Sequence, residues 1–362
     1  MNKSIITILL LTLLALATAC GPKEMTPEEI YTQEASGVVL VLNEFYYSAD
    51  LSDGTTIYFT DFKDGKLEDV SFDEDSITNS TVFGTGFFIS DDGSLLTNRH
   101  VVDPEIPRSE VKRYIQDFIR SNKEELGELQ KQIKQSYDSL QQEIEDDTHT
   151  ILGYTYESKE NKERRAYQDS LQQYYFKADS LIDVLETIDL SKIKITTHSK
   201  VSIAYHNSHV NSLNEFKPCL VIKTSGENDA DLALIRLKNK RTPSKAHIFR
   251  FPENKGNALG PNKEEREQLT LNQQLVLIGY KEGVHGAATK ESIKAQLTTG
   301  NISQQPDEDR VMYTIPALPG SSGSPVLNLW GEVVAVNFAG VNGTQNFNFG
   351  IPLTQIKSFL NQ

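Results

Sequence analysis

Short apolar runs separated by polar turns occupy two parts of the chain, residues 37–104 and the residues from 191 onward. In the first part the runs GVVLVLNEFYY and VFGTGFFIS have the composition of strands, and a turn-forming Asp-Asp-Gly separates the second run from SLLTN. In the second part similar runs recur about every ten residues between glycine-rich turns. This pattern predicts an antiparallel β protein, either a barrel or a sandwich, and argues against βαβ units.

Residues 105–190 follow a different pattern, in which apolar positions recur every three or four residues. One apolar stripe runs over residues 111–144 and another over residues 167–188, with a separate segment around residues 149–156 between them. This spacing is typical of amphipathic helices, so the region predicts a helical hairpin inserted into the β protein. The insertion either controls access of substrates or partners, or is a rigid spacer without a regulatory role.

The start of the chain has the layout of an export signal. Lys3 precedes a largely apolar run over residues 5–16, which is too short to span a bilayer and is followed by small residues. The next residue, Cys20, makes the segment resemble a bacterial lipoprotein signal, which is cleaved before the cysteine and leaves its thiol lipid-modified. The resemblance implies a signal peptide over residues 1–19, a lipid anchor on Cys20, a tether over residues 20–36 and a cell-envelope location facing the periplasm. The alternative is a plain secretory signal that happens to be followed by a cysteine.

Charge limits the partners that the protein can have. Its 362 residues include 50 Asp and Glu against 36 Lys and Arg, a net charge of −14. A surface of this sign repels phosphate backbones, which argues against nucleic-acid binding. The region 105–190 holds 19 acidic and 12 basic residues, so half of the excess lies in the predicted helices. No spacing of His, Cys and carboxylate residues completes a metal site, and we expect neither a metal nor a cofactor.

Three short stretches carry candidate chemistry. His100 follows the strand-like run LLTN, Asp231 opens the apolar run LALI, and Ser322 lies in the small-residue loop PGSSGSPV. A serine hydroxyl becomes a nucleophile only with a base in hydrogen-bond reach, and the base needs an acceptor that orients it. A loop of small residues also lets backbone N–H groups face the oxygen that becomes negative in acyl transfer.

In the order His, Asp, Ser, these stretches resemble the trypsin-like serine peptidases, which have the chymotrypsin fold. The flanking runs GTGFFIS, TGNIS and FGIP are similar to the HtrA branch, and SGSPV is similar to the bacterial glutamyl endopeptidases. The likeness covers residues 37–104 and 191–362. It implies a mainly β fold of two antiparallel six-stranded barrels with an inserted α-helical hairpin. The first barrel would comprise residues 37–104 and 191–245, the hairpin residues 105–190, and the second barrel with a terminal helix residues 246–362.

The resemblance also implies roles for individual residues. Ser322 would be the nucleophile, His100 the general base and acid, and Asp231 the acceptor that fixes the imidazole, while the backbone N–H groups of Gly320 and Ser322 would form the oxyanion hole. Asp229 is a rival for Asp231.

Two other serines, Ser321 and Ser324, are rivals for Ser322, although only Ser322 has the Gly-X-Ser-Gly frame. Two departures from the family stand out. His100 and Asp231 are separated by 131 residues because the predicted hairpin lies between them, and no PDZ module of the kind usual in HtrA proteins follows the last predicted helix.

Four residues would line the substrate pocket if the resemblance holds there: Pro316, Asn337, Phe338 and Ala339. Pro316 stands where trypsin has an acidic residue, which argues against cleavage after Lys or Arg. Asn337 stands where the glutamyl endopeptidases have a histidine, which argues against cleavage after Glu. The sequence therefore favours small or medium apolar side chains in this pocket.

Taken together, these features predict a lipid-anchored serine endopeptidase of the bacterial envelope that hydrolyses protein or peptide substrates through an acyl-enzyme. The alternative is a scaffold or partner-binding protein. In that case the helical insertion would recruit a partner or a second copy of the chain, and the peptidase site would be latent or inactive.

Overall fold

A computed structural model of the chain describes residues 23–152, 154–156, 158–226, 230–252, 262–289, 292–316, 318–340 and 348–361. The chain divides into two compact units. One unit contains the described residues up to 45, residues 80–105 and the described residues from 199 onward, and the other contains residues 46–79 and 106–198.

The strands are β1 (Val38–Asp50), β2 (Thr56–Phe59), β3 (Asp61–Lys63), β4 (Lys66–Glu68), β5 (Ser80–Phe88), β6 (Ser94–Thr97), β7 (His149–Ile151), β8 (Tyr154–Tyr156), β9 (Lys194–Tyr205), β10 (Lys217–Thr224), β11 (Ala233–Leu237), β12 (Gln274–Gly279), β13 (Gln296–Asn301), β14 (Val311–Tyr313), β15 (Pro325–Leu327), β16 (Val333–Gly340) and β17 (Asn348–Pro352). The helices are α1 (Pro27–Glu34), α2 (Arg99–Val102), α3 (Arg108–Asp146), α4 (Lys159–Thr187), α5 (Lys263–Glu267), α6 (Gly283–Ala287) and α7 (Leu353–Asn361).

The first large sheet closes into a barrel. Its strand order is β2-β1-β5-β6-β11-β10-β9, and β9 also pairs with β1, so six strands form a closed antiparallel ring. Strand β1 is buried on both faces over its first half, which explains why its sequence is continuously apolar instead of alternating. Val39 and Val41 lie in one core cluster, while Val38, Leu40 and Leu42 lie in another.

The second large sheet has the order β13-β12-β15-β16-β17-β14 and forms a half-barrel. Its two edge strands meet at a single isolated bridge between Ile302 and Tyr313. Leu275, Leu277 and Val326 are fully buried in its core. The mainly β fold predicted from the sequence is thus confirmed, with a closed six-stranded barrel, a six-stranded half-barrel and a helical segment inserted in the chain.

The helical segment is built on the two long helices α3 and α4, which span roughly 58 Å and 44 Å at 1.5 Å per residue. They are antiparallel, because Gln130 near the middle of α3 bonds Asp179 in the second half of α4, and Gln141 farther along α3 bonds Gln168 nearer the start of α4. Only part of each predicted apolar stripe is buried. The buried members are Val111, Ile115, Ile133, Ile144, Leu171 and Ala178, and the exposed ones are Phe118, Leu129, Tyr167, Tyr174 and Leu181.

The unit that contains these helices also contains residues 46–79, which the sequence analysis placed with the first barrel. Within this unit the ring of Phe62 meets the edge of Tyr114 on α3 at a centroid distance of 6.0 Å. The Tyr46 ring stacks on His198 at 4.6 Å. The β-hairpin of β3 and β4 therefore makes its contacts in the same unit as the helices, although it is far from them in sequence.

Part of the segment expected to be a tether is folded. Helix α1 begins with a capping box in which Thr26 and Glu29 satisfy each other's backbone N–H groups, and Pro27 occupies the first turn. Ile30 on this helix is fully buried, and the Tyr31 hydroxyl donates to the Ala295 carbonyl oxygen at 2.7 Å. One buried isoleucine and one anchored tyrosine are enough to fix a helix that is polar elsewhere.

Within the described ranges, no helix has the length and the apolar character needed to cross a membrane.

Candidate active site

His100 is presented by the single helical turn α2, directly after strand β6. Its Nδ1 atom lies 2.5 Å from Oδ2 of Asp231, and its backbone N–H donates to Oδ1 of the same carboxylate at 3.0 Å. Val101 and Val102, which follow in the same turn, are buried in the barrel core and hold the turn in place. Both carboxylate oxygens of Asp231 therefore bond His100. These two bonds fix the plane of the imidazole and leave Nε2 as the nitrogen available for proton transfer.

Asp231 lies two residues before strand β11 and is held by its neighbours along the chain. The side-chain amide of Asn98 donates to the Asp231 carbonyl oxygen at 2.7 Å. The guanidinium of Arg99, which is itself buried, donates to the carbonyl oxygens of Ser225 at 3.4 Å and Gly226 at 2.5 Å. Arg99 and Asn98 thus tie the loop that carries the aspartate to the turn that carries the histidine.

The pKa of Asp231 reflects two opposing effects. Burial alone would raise it, but the hydrogen bonds and the charge of His100, helped by the charge of Arg99, outweigh burial and hold the pKa below its usual range. The carboxyl group is therefore ionised at neutral pH and can stabilise positive charge on the imidazole.

The serine loop, residues 318–324, turns sharply at two glycines. Gly320 has φ +91° and Gly323 has φ +85°, both in the left-handed region that favours glycine. A Cβ on Gly320 would lie 2.5 Å from the Tyr280 carbonyl oxygen, and one on Gly323 would lie 2.1 Å from the Thr85 carbonyl oxygen. Any larger residue at either position would push the loop off the strands beneath it.

Three backbone N–H groups of the serine loop donate hydrogen bonds within the protein. The N–H groups of Ser321, Gly323 and Ser324 donate to the carbonyl oxygens of Leu318, Asn337 and Ser321, respectively, at 2.8–3.1 Å.

The N–H groups of Gly320 and Ser322, by contrast, have no acceptor within the part of the chain that the structure describes. The Pro319 carbonyl oxygen accepts from the Glu282 N–H at 2.5 Å, and because a trans peptide is planar this turns the Gly320 N–H away from Glu282. Two N–H groups without an acceptor among the described residues, one on Ser322 itself and one two residues before it, are the arrangement that an oxyanion requires.

Strand β5 brings the serine loop to the histidine turn. The Thr85 N–H donates to the Ser322 carbonyl oxygen at 2.7 Å, and the Thr85 carbonyl accepts from the Thr97 hydroxyl at 2.7 Å. A Cβ on Gly84 would touch Val101 on one side and the Ser322 carbonyl oxygen on the other. Gly84 and Thr85 thus lie against the backbone of Ser322 and against residues that flank His100 in the chain.

The three candidate serines have different surroundings. Ser321 is buried and its hydroxyl donates to the Leu318 carbonyl oxygen at 2.6 Å. Ser324 is fully buried, with its Oγ facing Gly279. Ser322 is partly exposed, so of the three it is the one that a substrate can reach. The rival aspartate, Asp229, lies outside the described residues.

The predicted pocket residues fall in different environments. Pro316 is exposed, Phe338 is partly buried, and Ala339 belongs to strand β16, with its side chain outside the described set. Asn337 is 1% exposed, and its side chain is engaged with internal partners. The lipidation candidate Cys20 lies outside the described residues.

Sequence reasoning missed the residues that hold the site together. Thr85 lies in GTGFFIS, which served only as a sign of resemblance, and Asn98 and Arg99 directly precede His100, where only the histidine was given a role. The polar residues within these otherwise apolar motifs were the available signal, because a buried hydroxyl, amide or guanidinium needs a partner. In the described residues, no group of three or more His, Cys, Asp and Glu side chains is arranged to hold a metal ion.

Comparison with known proteins agrees with this geometry. The family model described as the trypsin-like peptidase domain matches residues 192–336, a segment that contains Asp231 and Ser322 and begins after the helical insertion. A search of curated protein sequences found no match. The matched domain and the barrel architecture together support a trypsin-like serine peptidase of the chymotrypsin fold.

Proposed function

We propose that the protein is a serine endopeptidase in which Ser322 is the nucleophile, His100 the general base and acid, and Asp231 the residue that orients and stabilises His100. The observation that carries the proposal is the 2.5 Å contact between His100 Nδ1 and the Asp231 carboxylate, next to a serine loop with two unused N–H groups. An HtrA-like character is part of the proposal and rests on the resemblance of the flanking motifs.

In the first half of the reaction, the Ser322 Oγ bonds to the carbonyl carbon of the scissile peptide while its proton passes to Nε2 of His100. The electron pair of the carbonyl moves onto its oxygen, which the N–H groups of Gly320 and Ser322 stabilise. When the carbonyl reforms, the carbon–nitrogen bond breaks and His100 gives its proton to the leaving amine. Asp231 stays ionised throughout and balances the transient imidazolium.

In the second half, water takes the place of the amine. His100 accepts a proton from the water as its oxygen bonds to the acyl carbon, and the ester bond to Ser322 then breaks with return of the proton to Oγ. The chain's own residues supply every proton transfer in this scheme, so protein or peptide substrates and water are sufficient.

The test is covalent labelling with a fluorophosphonate. We expect the wild-type protein to be labelled on Ser322, and Ser322→Ala and His100→Ala to lose both labelling and peptide cleavage. Ser324→Ala is the matched control, because it removes a neighbouring hydroxyl that is fully buried. Labelling that persists in Ser322→Ala would refute the assignment of the nucleophile, and a folded wild-type protein that is never labelled would favour the scaffold alternative.

We also propose that Cys20 carries lipid and anchors the protein in the bacterial cell envelope, facing the periplasm. The support is the layout of the first twenty residues, with an apolar run, small residues and then cysteine. Stable anchoring needs two or more acyl chains, and the Cys20→Ser variant lacks the thiol that starts their attachment. The variant should therefore move from the membrane fraction to the soluble fraction. Unchanged membrane retention in Cys20→Ser would contradict the lipid anchor.

The last part of the proposal concerns which side chain the substrate has before the cleaved bond. The exposed Pro316 and the partly buried Phe338 support a pocket without a charged group at these positions, and we propose small or medium apolar side chains before the cleaved bond. A cleavage profile on a peptide library tests this directly. Preferred cleavage after Lys, Arg or Glu would overturn it.

A further inference from the structure

A chain of three buried polar side chains lies beneath the serine loop. Tyr313 on β14, Asn337 on β16 and Ser321 in the loop are each no more than 1% exposed. The Tyr313 hydroxyl lies 2.8 Å from Asn337 Oδ1 and 3.0 Å from the Phe349 carbonyl oxygen, both of which accept. The Asn337 amide then donates to the Ser321 carbonyl oxygen at 2.9 Å and lies 3.3 Å from the Ser321 hydroxyl.

The hydrogen bonds that link these three side chains fix the orientation of the Asn337 amide. The Tyr313 hydroxyl can both donate and accept, so it fits either end of an amide, whereas the Ser321 carbonyl oxygen only accepts. The NH2 group of Asn337 therefore faces Ser321, and its oxygen faces the Tyr313 hydroxyl, which donates to it. The Ser321 carbonyl thus fixes which way the Asn337 amide is turned, and Tyr313 bonds the amide oxygen that remains.

The Asn337 backbone holds the same loop from the other side. Its carbonyl oxygen accepts from the Gly323 N–H at 2.8 Å, and its N–H donates to the Ser324 carbonyl oxygen at 2.9 Å. The residues just before and just after Ser322 are therefore both bonded to Asn337. The nucleophile itself is left free of this contact and remains partly exposed.

The consequence for the oxyanion hole follows from peptide geometry. The carbonyl of Ser321 and the N–H of Ser322 belong to one planar trans peptide and point in opposite directions. The Asn337 amide and the Ser324 N–H both bond this carbonyl inside the protein, so the Ser322 N–H points outward. Rotation of this peptide would bury the donor and expose a carbonyl oxygen, which would repel an oxyanion.

We propose that Asn337, whose amide bonds both Ser321 and Tyr313, is a positioning residue that keeps the Ser322 N–H turned toward the oxyanion. The proposal rests on the serine peptidase function above. It gives Asn337 a role beyond lining a substrate pocket, because its amide is engaged with Ser321 and Tyr313.

The decisive variant is Asn337→Asp, which keeps the size of the side chain but replaces the NH2 donor by an acceptor. Loss of one oxyanion donor costs about 10²- to 10³-fold in kcat, so we expect kcat to fall by roughly that factor with little change in KM. Tyr313→Phe leaves the Asn337 amide in place but removes the hydroxyl that bonds its oxygen, and we expect a smaller loss of kcat, on the order of tenfold.

A pH profile separates positioning from a loss of structure. Below its pKa the introduced carboxyl group carries one proton and can again donate to the Ser321 carbonyl. The ratio of kcat for Asn337→Asp to kcat for the wild type should therefore rise as the pH is lowered. Asn43→Asp is the matched control, because Asn43 is a buried asparagine whose amide donates to Ser199 in the first barrel and has no bond to the serine loop.

A second readout does not depend on activity. Amide hydrogen exchange of peptides covering residues 318–324 should be faster in Asn337→Asp than in the wild type, and unchanged in Asn43→Asp. Unchanged exchange, or a folded Asn337→Asp variant with wild-type kcat, would overturn the proposal. Equal losses of kcat in Asn337→Asp and Asn43→Asp, in proportion to the fraction of unfolded protein, would also overturn it. If the wild type cannot be labelled on Ser322 but the exchange results are as expected, the proposed peptidase function is refuted. The role of Asn337 in holding the Ser321–Ser322 peptide bond would still be supported.

Discussion

At the scale of single residues, the geometry of the candidate site is set by hydrogen bonds between its polar groups. Asp231 gives one oxygen to the His100 backbone and the other to its ring, and Asn98 holds the aspartate's own carbonyl. In a buried setting each of these bonds also prevents the cost of an unpaired group. The same bonds that stabilise the fold therefore fix the direction of the imidazole.

Replacing Asp231 by Asn should leave the protein folded but cost roughly four orders of magnitude in kcat, the scale expected when the imidazole is held in the wrong tautomer. The amide that replaces the carboxylate offers a donor to Nδ1 and no negative charge to balance the imidazolium. Steady-state cleavage of a chromogenic peptide, with thermal unfolding of the same sample, measures both effects. Asp91→Asn, in the exposed turn before β6, is the control. A variant within tenfold of the wild type would contradict the role given to Asp231.

The sequence predicts His100, Asp231 and Ser322 as candidate residues, because each borders an apolar strand or lies in a glycine-framed loop. It does not predict which contacts Asn337 makes. That residue meets Ser321, 16 positions earlier, and Tyr313, 24 positions earlier, only after the sheet has formed. Such contacts depend on which strands pair and in which register, and this topology is hard to read from a single sequence.

At the scale of elements, the same contrast holds for the helices. The stripes over residues 111–144 and 167–188 predicted α3 and α4 because a spacing of three and four residues has one simple explanation. Helix α1 was missed because it is short and mostly polar, and its stability comes from the burial of Ile30 against distant strands. Residues 46–79 were assigned to the barrel because their short strands resemble barrel strands, whereas the contacts that they make lie with the helices.

Helix α1 also carries a buried acid that should make its docking depend on pH. Glu34 is 4% exposed, and its Oε2 has no hydrogen-bond partner among the described residues. Burial raises the pKa of Glu34 to about 8; the charge of Arg250 opposes the shift and that of Glu332 adds to it. Because the pKa is raised in the folded state, the folded protein keeps a proton that the unfolded chain releases near pH 4.5.

We therefore expect the free energy of unfolding to fall as the pH rises from about 4.5 to about 8, through the Glu34 contribution, by at most about 4–5 kcal/mol. Glu34→Gln should remove this loss, so the variant should become more stable than the wild type above pH 8. Urea unfolding at a series of pH values measures the difference, with Glu28→Gln on the exposed side of the same helix as control. A stability difference that does not change with pH would contradict the prediction.

At the scale of the whole molecule, the chain leaves the first barrel and returns to it around a unit with its own contacts. Helix α3 begins eight residues after His100 in the chain, and β9 starts seven residues after the end of α4. Within the helical unit, the Arg108 guanidinium donates to the Ile195 carbonyl oxygen at 2.7 Å, so both ends of the insertion are held together inside that unit. An insertion whose ends meet adds little closure cost, since each doubling of loop length costs about 0.6 kcal/mol.

Replacement of residues 106–190 by a short Gly/Ser linker should therefore leave the barrels folded. Because residues 46–79 pack within the removed unit, for example through Phe62 against Tyr114, a second variant should also replace residues 52–78 by a tight turn. We expect the second variant to be the more soluble of the two, since it leaves no aromatic ring without its partner.

The two deletion variants also test what the insertion is for. If it selects substrates, the kcat/KM for a short peptide should change little, while the kcat/KM for a folded protein substrate should change strongly. Thermal unfolding and both cleavage rates, measured on the same preparations, separate the cases. Failure of both variants to fold would contradict an independent helical unit. If they fold and cleave both substrates at the wild-type rate, the insertion does not gate the site, and its exposed apolar stripe with Tyr167 and Tyr174 becomes the feature to test for partner binding.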